Sequence, residues 1–210
     1  MRLFTALFAI TLFGLTGCAT TMSEDECLTS DWRTVGYEDG VQGRSGAAIG
    51  TYRKACAKAG VTPDLAEYQA GRQEGLQEYC RPQNGYNAGE RGASYQGVCP
   101  AELENAFLAA YEEGRTLYEL RADVRRLESD IVRAENEIAD IDATIESETL
   151  RMVSDGLLPE ERLEILAETK RLSERKGQLR DRLVYLAEEL GASRERLDEY
   201  RALQTAATTY

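Results

Sequence analysis

From Leu103 onward, apolar residues return every seven positions: Leu103, Ala110, Leu117, Val124, Ile131, Ile138, Ile145 and Met152, with Ala106, Leu120, Leu127, Ala134 and Ile141 in the intermediate seam position. Alternating steps of three and four hold one stripe on one side of a helix, the pattern of a coiled coil. Glu113 and Glu148 interrupt the second seam position, which weakens single layers only. Val153-Ser-Asp-Gly-Leu-Leu-Pro159 then breaks the helix. Gly156 suits a left-handed cap, and Pro159 followed by Glu160 and Glu161 suits a new helix start, with acids at the positive end of the dipole. The second run carries Leu158, Ile165, Leu172, Leu179 and Leu186, joined by Leu183, Leu190, Leu197 and Tyr200; Arg162, Thr169 and Lys176 take the other seam position in its first half. Two limbs of about 45 residues are expected to fold back antiparallel over roughly 65 to 70 Å, meeting at their base near Leu117 and Leu197. The break argues against a continuous parallel oligomer.

The start of the chain has a different character. Arg2 precedes an apolar run from Leu3 to Leu15, closed by Leu15-Thr16-Gly17-Cys18. The run is too short for a stable bilayer span and has no polar face, which suits a signal peptide better than a buried helix. Leu-Thr-Gly-Cys resembles the bacterial lipobox. That resemblance implies cleavage before Cys18 and acylation of Cys18, and two or more acyl chains anchor stably at about 0.8 kcal/mol per buried methylene. Ala19 stands where such lipoproteins carry Asp when they are kept in the inner membrane. The expected location is therefore the outer membrane, facing the periplasm, with the membrane contacted through the lipid alone. Residues 1–17 read as signal peptide and 18–26 as lipidated cysteine and tether.

Four further cysteines, Cys27, Cys56, Cys80 and Cys99, all precede residue 100. An even set in an oxidising compartment reads as two disulfides. A zinc site is the competing reading, but no pair has Cys-x-x-Cys spacing and the chain contains no His. Three connectivities are open; the shortest loops favour Cys27 with Cys56 and Cys80 with Cys99.

Between Tyr37 and Tyr118 lie eight of the eleven tyrosines. Tyr-x-x-Gly recurs at Tyr37, Tyr68, Tyr86 and Tyr111, at unequal intervals that exclude a solenoid. A glycine costs roughly 1 kcal/mol against alanine inside a helix, so its repeated use points to close packing of a neighbouring helix or ring. Two readings follow: a groove lined by Trp32, Tyr37, Tyr68, Tyr86 and Tyr111 for a sugar or peptide, or compact packing in a small domain short of aliphatic residues, which small disulfide-linked domains favour. Pro63 to Cys80 reads as a helix, Asp31 to Gly43 and Ser45 to Ala59 as weaker helical segments, and Arg81-Pro-Gln-Asn-Gly85 as a turn or loop.

The order Cys27, Asp31-Trp32, Gly36-Tyr-Glu-Asp-Gly40, Gly43, Cys56, Gly60-Val-Thr-Pro-Asp64, Tyr68, Gly71, Gly75-Leu76, Tyr79-Cys80, Gly85-Tyr86, Gly89, Gly92, Tyr95-Gln-Gly-Val-Cys-Pro100 resembles a bacterial lipoprotein family known as domain of unknown function 2799. The resemblance spans roughly residues 23–118. It implies an envelope lipoprotein and supplies no activity or catalytic residue.

The expected fold is mostly α: a small Gly/Tyr-rich, disulfide-linked helical domain over residues 27–114, followed by a long antiparallel coiled-coil hairpin with limbs over 101–153 and 159–204 and a frayed tail over 205–210. Formal net charge is −12, which disfavours nucleic acid and anionic lipid surfaces as partners. No nucleophile elbow, phosphate loop or dinucleotide pattern occurs, and neither a cofactor nor a metal is expected. Of the 37 acidic residues, Asp31, Asp39 and Asp64 would be the first candidates for a carboxylate pair. Asp140-Ile-Asp142 has the start of a calcium loop but lacks its glycine and sits within the heptads. The functional expectation is a non-enzymatic interaction or scaffold lipoprotein reaching a protein partner in the envelope through the hairpin. The alternative is a lipoprotein that binds or cleaves peptidoglycan with the Tyr/Gly-rich domain.

Overall fold

The computed structural model describes residues 22–207. The signal segment, Cys18 and most of the tether lie outside the described residues, as do residues 208–210. Among the described residues all regular structure is helical: α1 Glu24–Thr29, α2 Trp32–Val41, α3 Ile49–Cys56, α4 Leu65–Tyr79, α5 Pro82–Glu90, α6 Ala101–Met152 and α7 Pro159–Ala207. The chain divides into two compact units at Tyr79/Cys80. This division falls inside the segment 27–114 read from the sequence as one domain. Its second half packs on α6, the helix that continues as the first limb of the hairpin.

In the first unit, α1 begins inside the stretch read as tether. Ser23 and Glu26 form a capping box: the Glu26 amide donates to Ser23 Oγ at 3.3 Å and the Ser23 amide to Glu26 Oε2 at 2.7 Å. Asp31 caps α2 by accepting from the Arg33 amide, and Asp64 accepts from the amides of Ala66 and Glu67 at the start of α4. Two of the three acids considered for catalysis are thus helix caps. A core of Cys27, Trp32, Ile49, Cys56 and Tyr68 is sealed by the Cys27–Cys56 disulfide.

Helices α2 and α4 cross with their backbones in contact. Methyl groups placed on Gly36 and Gly40 of α2 would overlap the carbonyl oxygens of Tyr68 and Arg72, and methyl groups on Gly71 and Gly75 of α4 would overlap those of Arg33 and Tyr37. Glycines four apart on each helix form one notch per helix, and the two notches interlock. Beyond them Gly43, at φ 67°, turns the chain under the ring of Tyr79, where a side chain would meet both strain and the ring.

The second unit opens with the same device. Gly85 and Gly89 of α5 press on the backbone of α6 at Phe107 and Tyr111, Gly114 of α6 presses back on Tyr86, and Gly92, at φ 69°, turns under the ring of Tyr118. Gly36-Tyr37-x-x-Gly40-x-x-Gly43 and Gly85-Tyr86-x-x-Gly89-x-x-Gly92 are therefore two copies of one motif. Each copy has its own disulfide joining the residues before its first helix to those before its second, Cys27–Cys56 in one and Cys80–Cys99 in the other. The pairing is the one with the shortest loops. The segment around Arg81 to Gly85, read as a loop, corrects to the start of α5: Arg81 is extended, Pro82 takes a first-turn position, and Asn84-Gly85 continue the helix because the glycine is required where α6 approaches.

Helices α6 and α7 form the antiparallel hairpin. Leu127, Leu186 and Leu190 pack with Val124 and Ile131 toward the base, and Ala134, Ile141 and Leu179 pack with Ile138, Ile145, Leu172 and Leu183 further out. Ion pairs fix the register: Glu128 with Arg194 at 2.7 Å, Glu137 with Arg175 at 2.8 Å, and Asp142 with Lys176. Asp142 is thus engaged across the hairpin. At the turn Gly156 has φ 90°, the Leu158 amide donates to Glu161, and Arg162 donates to the carbonyls of Met152 and Ser154, capping the end of α6. Leu158, placed in the seam by its spacing, is exposed, since the limbs have not yet come together there. The 49 residues of α7 span about 74 Å and continue helical through Ala207, into the stretch read as tail.

Candidate functional site

The aromatic residues read as one groove have diverse surroundings. Trp32 and Tyr68 belong to the core of the first unit, and Tyr111 is buried in the second, where its hydroxyl donates to the carbonyl of Ala93 at 2.8 Å. Packing against glycine notches brings these rings inward. Tyr37 stays exposed and Tyr86 is half-buried.

Asp39, the third acid considered from the sequence, is 2% exposed and sits at the centre of a polar cluster. The Tyr68 hydroxyl donates to it at 2.7 Å, the Tyr52 hydroxyl at 2.9 Å, and Arg44 pairs with it at 3.2 Å. Arg72 in turn donates twice to the carbonyl of Arg44, at 2.8 and 2.9 Å. Burial, then the bond to Asp39 and its charge, hold the Tyr68 hydroxyl protonated well above the ordinary phenol range; the same causes act in the same direction on Tyr52. A carboxylate saturated by three partners has no free lone pair aimed at solvent, so the cluster is a clamp joining α2, α3, α4 and the loop after Gly43.

The second copy keeps the geometry and drops the charge. Ala88 stands where Asp39 stands, Phe107 replaces Tyr68, and Tyr111 replaces Arg72, holding the carbonyl of Ala93 as Arg72 holds that of Arg44. Tyr95 packs on Phe107 at 5.0 Å between centroids, as Tyr52 packs on Tyr68 at 6.2 Å. Its hydroxyl accepts from the Cys99 amide and donates to Glu104.

Two surfaces in the second unit remain open. One is a cleft of about 630 Å³ where α5, the first turns of α6 and the end of α7 meet, lined by Pro82, Gln83, Tyr86, Ala110, Glu113, Tyr200, Leu203 and Gln204. Tyr86 donates to Gln204 Oε1 at 3.2 Å and Tyr200 donates to the carbonyl of Glu113 at 2.8 Å, so hydrogen bonds tie the walls together. Of the five aromatic residues read from the sequence as a groove, Tyr86 alone lines it. Tyr200 was read as a seam residue, and nothing in its heptad position signalled a cleft. The other surface is the end of the hairpin, where Leu150, Val153, Leu158, Leu163 and Leu166 are 55–72% exposed.

These features define a mostly helical protein whose described residues form two disulfide-linked, glycine-crossed helix pairs, the second extended into a coiled-coil arm. Residues 31–116, which take in both crossings, match the model of the family described as Protein of unknown function (DUF2799), the family that the order of glycines, tyrosines and cysteines resembles. No curated protein and no solved structure matches the chain. Among the described residues no helix is long and apolar enough to cross a membrane.

Proposed function

We propose that the protein is a lipid-anchored envelope lipoprotein, acylated at Cys18 in the outer membrane and facing the periplasm, that serves as a non-enzymatic scaffold by presenting the end of its hairpin to a protein partner. The observation that carries the interaction reading is the apolar end of the arm. Exposed aliphatic side chains scattered singly on a surface need no explanation, but five between Leu150 and Leu166, at the end of α6, in the turn and at the start of α7, form a concentration of the kind that marks protein interfaces. The coiled coil leaves them uncovered: Ile165 is buried at this end of the hairpin, and these five stand outside the seam. The anchor rests on Leu15-Thr16-Gly17-Cys18 and the apolar run before it.

The cell-wall reading relied on a tyrosine-lined surface, and with Trp32, Tyr68 and Tyr111 turned inward no observation favours it. In-cell photocrosslinking from positions 153, 158 and 163 tests the arm. One protein caught from all three, and lost when Leu163 and Leu166 are replaced by Gln, is expected; capture indifferent to those replacements would remove the arm's end from the function. Metabolic labelling with a palmitate analogue tests the anchor separately, with loss of label in Cys18→Ala expected.

A further inference from the structure

We propose that the cleft at the base of the arm is a second binding site, independent of the arm's end, and that it takes a peptide segment bearing a lysine or arginine beside an apolar residue. Its volume of about 630 Å³ lies within the range of ligand sites and has room for two or three side chains. The apolar part of the lining is set by Pro82, Ala110 and Leu203, the last 71% exposed although it belongs to a helix whose other leucines at this end are sheltered in the seam. A leucine left in water on the wall of a concave site offers area that an incoming apolar side chain would cover.

The charge of the ligand follows from what stands beside that wall. Glu113 interrupts the heptad seam, and among the described residues its carboxylate takes no part in an ion pair, while its backbone carbonyl accepts from Tyr200. Among the described residues, none of the eight that line the cleft is Lys or Arg, so none of them neutralises it. Glu113 and Tyr200 line the same cleft and are joined there by the bond from the Tyr200 hydroxyl to the Glu113 carbonyl; burial, with the charge of Glu113 adding to it, raises the pKa of that hydroxyl above the ordinary phenol value. A carboxylate in a cleft that two tyrosines, Tyr86 and Tyr200, also line favours a cation by ion pairing and by attraction to the rings, and repels an anion.

The test uses the full chain labelled with 3-fluorotyrosine, with the Tyr86 and Tyr200 fluorine signals assigned by Tyr→Phe variants. The probes are acetyl-Phe-Lys-amide, its norleucine and glutamate counterparts, and glucosamine. The lysine peptide is expected to shift both signals with half-saturation on the order of 1 mM, as suits so small a ligand. The norleucine peptide, and the lysine peptide on Glu113→Gln, are expected to bind roughly three- to ten-fold more weakly, and the glutamate peptide weakest of all. Equal shifts from the lysine and norleucine peptides, insensitivity to Glu113→Gln, or no shift from any probe would overturn the proposal. Binding of glucosamine as tight as that of the lysine peptide would overturn the peptide assignment. Crosslinking from the arm's end plays no part in these outcomes, so the two proposals fail separately.

Discussion

Replacing Gly75 by alanine puts the glycine-crossed packing of the first unit to a direct test. In an isolated helix the change is favourable by about 1 kcal/mol. In this fold the new methyl would overlap the Tyr37 carbonyl oxygen and lie 2.7 Å from the Val41 nitrogen and 2.9 Å from the Gly40 Cα. All three atoms are backbone, so no rotamer change can make room, and α2 and α4 must move apart by about an ångström. Overpacking of this kind costs typically about 1–3 kcal/mol, and separation also loosens Gly36 from Tyr68 and Gly71 from Arg33. The net expectation, after subtracting the propensity gain of about 1 kcal/mol, is a loss of up to about 2 kcal/mol. The chain's single tryptophan, Trp32, lies in the core of this unit, so its fluorescence during urea unfolding reports there while the long helices dominate circular dichroism. A Gly75→Ala midpoint equal to or above that of the unsubstituted protein would refute the backbone-contact account.

Gly177 and Gly191 of α7 meet nothing within 4 Å, so Ala at either position should raise the stability of the hairpin by up to about 1 kcal/mol, read as a higher midpoint by circular dichroism. Asp39→Ala leaves the Tyr52 and Tyr68 hydroxyls without their acceptor and should cost about 2–4 kcal/mol in the tryptophan-monitored transition, with Asp39→Asn costing less because its amide oxygen still accepts. Because Tyr68 and Tyr52 ionise less readily folded than unfolded, the stability they contribute is complete below the ordinary tyrosine pKa of about 10 and is lost as pH rises beyond it. An absorbance titration of tyrosinate should show these two ionising only as the first unit unfolds, and Asp39→Asn should bring them to lower pH. Leu186→Ala, at the hairpin seam, should cost about 2–5 kcal/mol in the circular dichroism transition and leave tryptophan fluorescence unchanged.

The hairpin was the most legible part of the sequence, because a seam of Leu and Ile repeated over many turns outweighs any local signal and the Gly156–Pro159 break sits where the register reverses. Cysteine pairing was legible for a related reason: loop length ranks the connectivities before any geometry is known. The duplicated motif was harder to see. Tyr-x-x-Gly drew the eye to four copies, but those on α4 and α6 are not equivalent, since Gly114 does the work of Gly75 and not of Gly71. The structural unit is a pair of helices whose glycines answer the partner's carbonyls, and that correspondence lives in the crossing. Asn84-Gly85 reads as a turn on local preference alone, and tertiary contact with Phe107 turns it into helix. The groove failed to form from Trp32, Tyr68 and Tyr111 for the same reason: a ring next to a notch fills the interior. The cleft joins residues from three helices far apart in sequence, and only Glu113, a charge in a seam position, hinted at it.

Helix α6 runs without a break from the crossing at Gly89 and Gly114 to the turn at Met152. It is gripped by α5 from Phe107 to Arg121, which pairs with Glu90, a stretch of about 21 Å, and extends a further 46 Å or so beyond it. A rod clamped near one end is a lever. Sideways force on the far end reaches the clamp multiplied roughly twofold, and it arrives at a joint whose centre is main chain on main chain. The glycines that let the helices touch thereby also make the bearing stiff, so that a pull on Leu163 is felt at Gly89 as strain and not as slack.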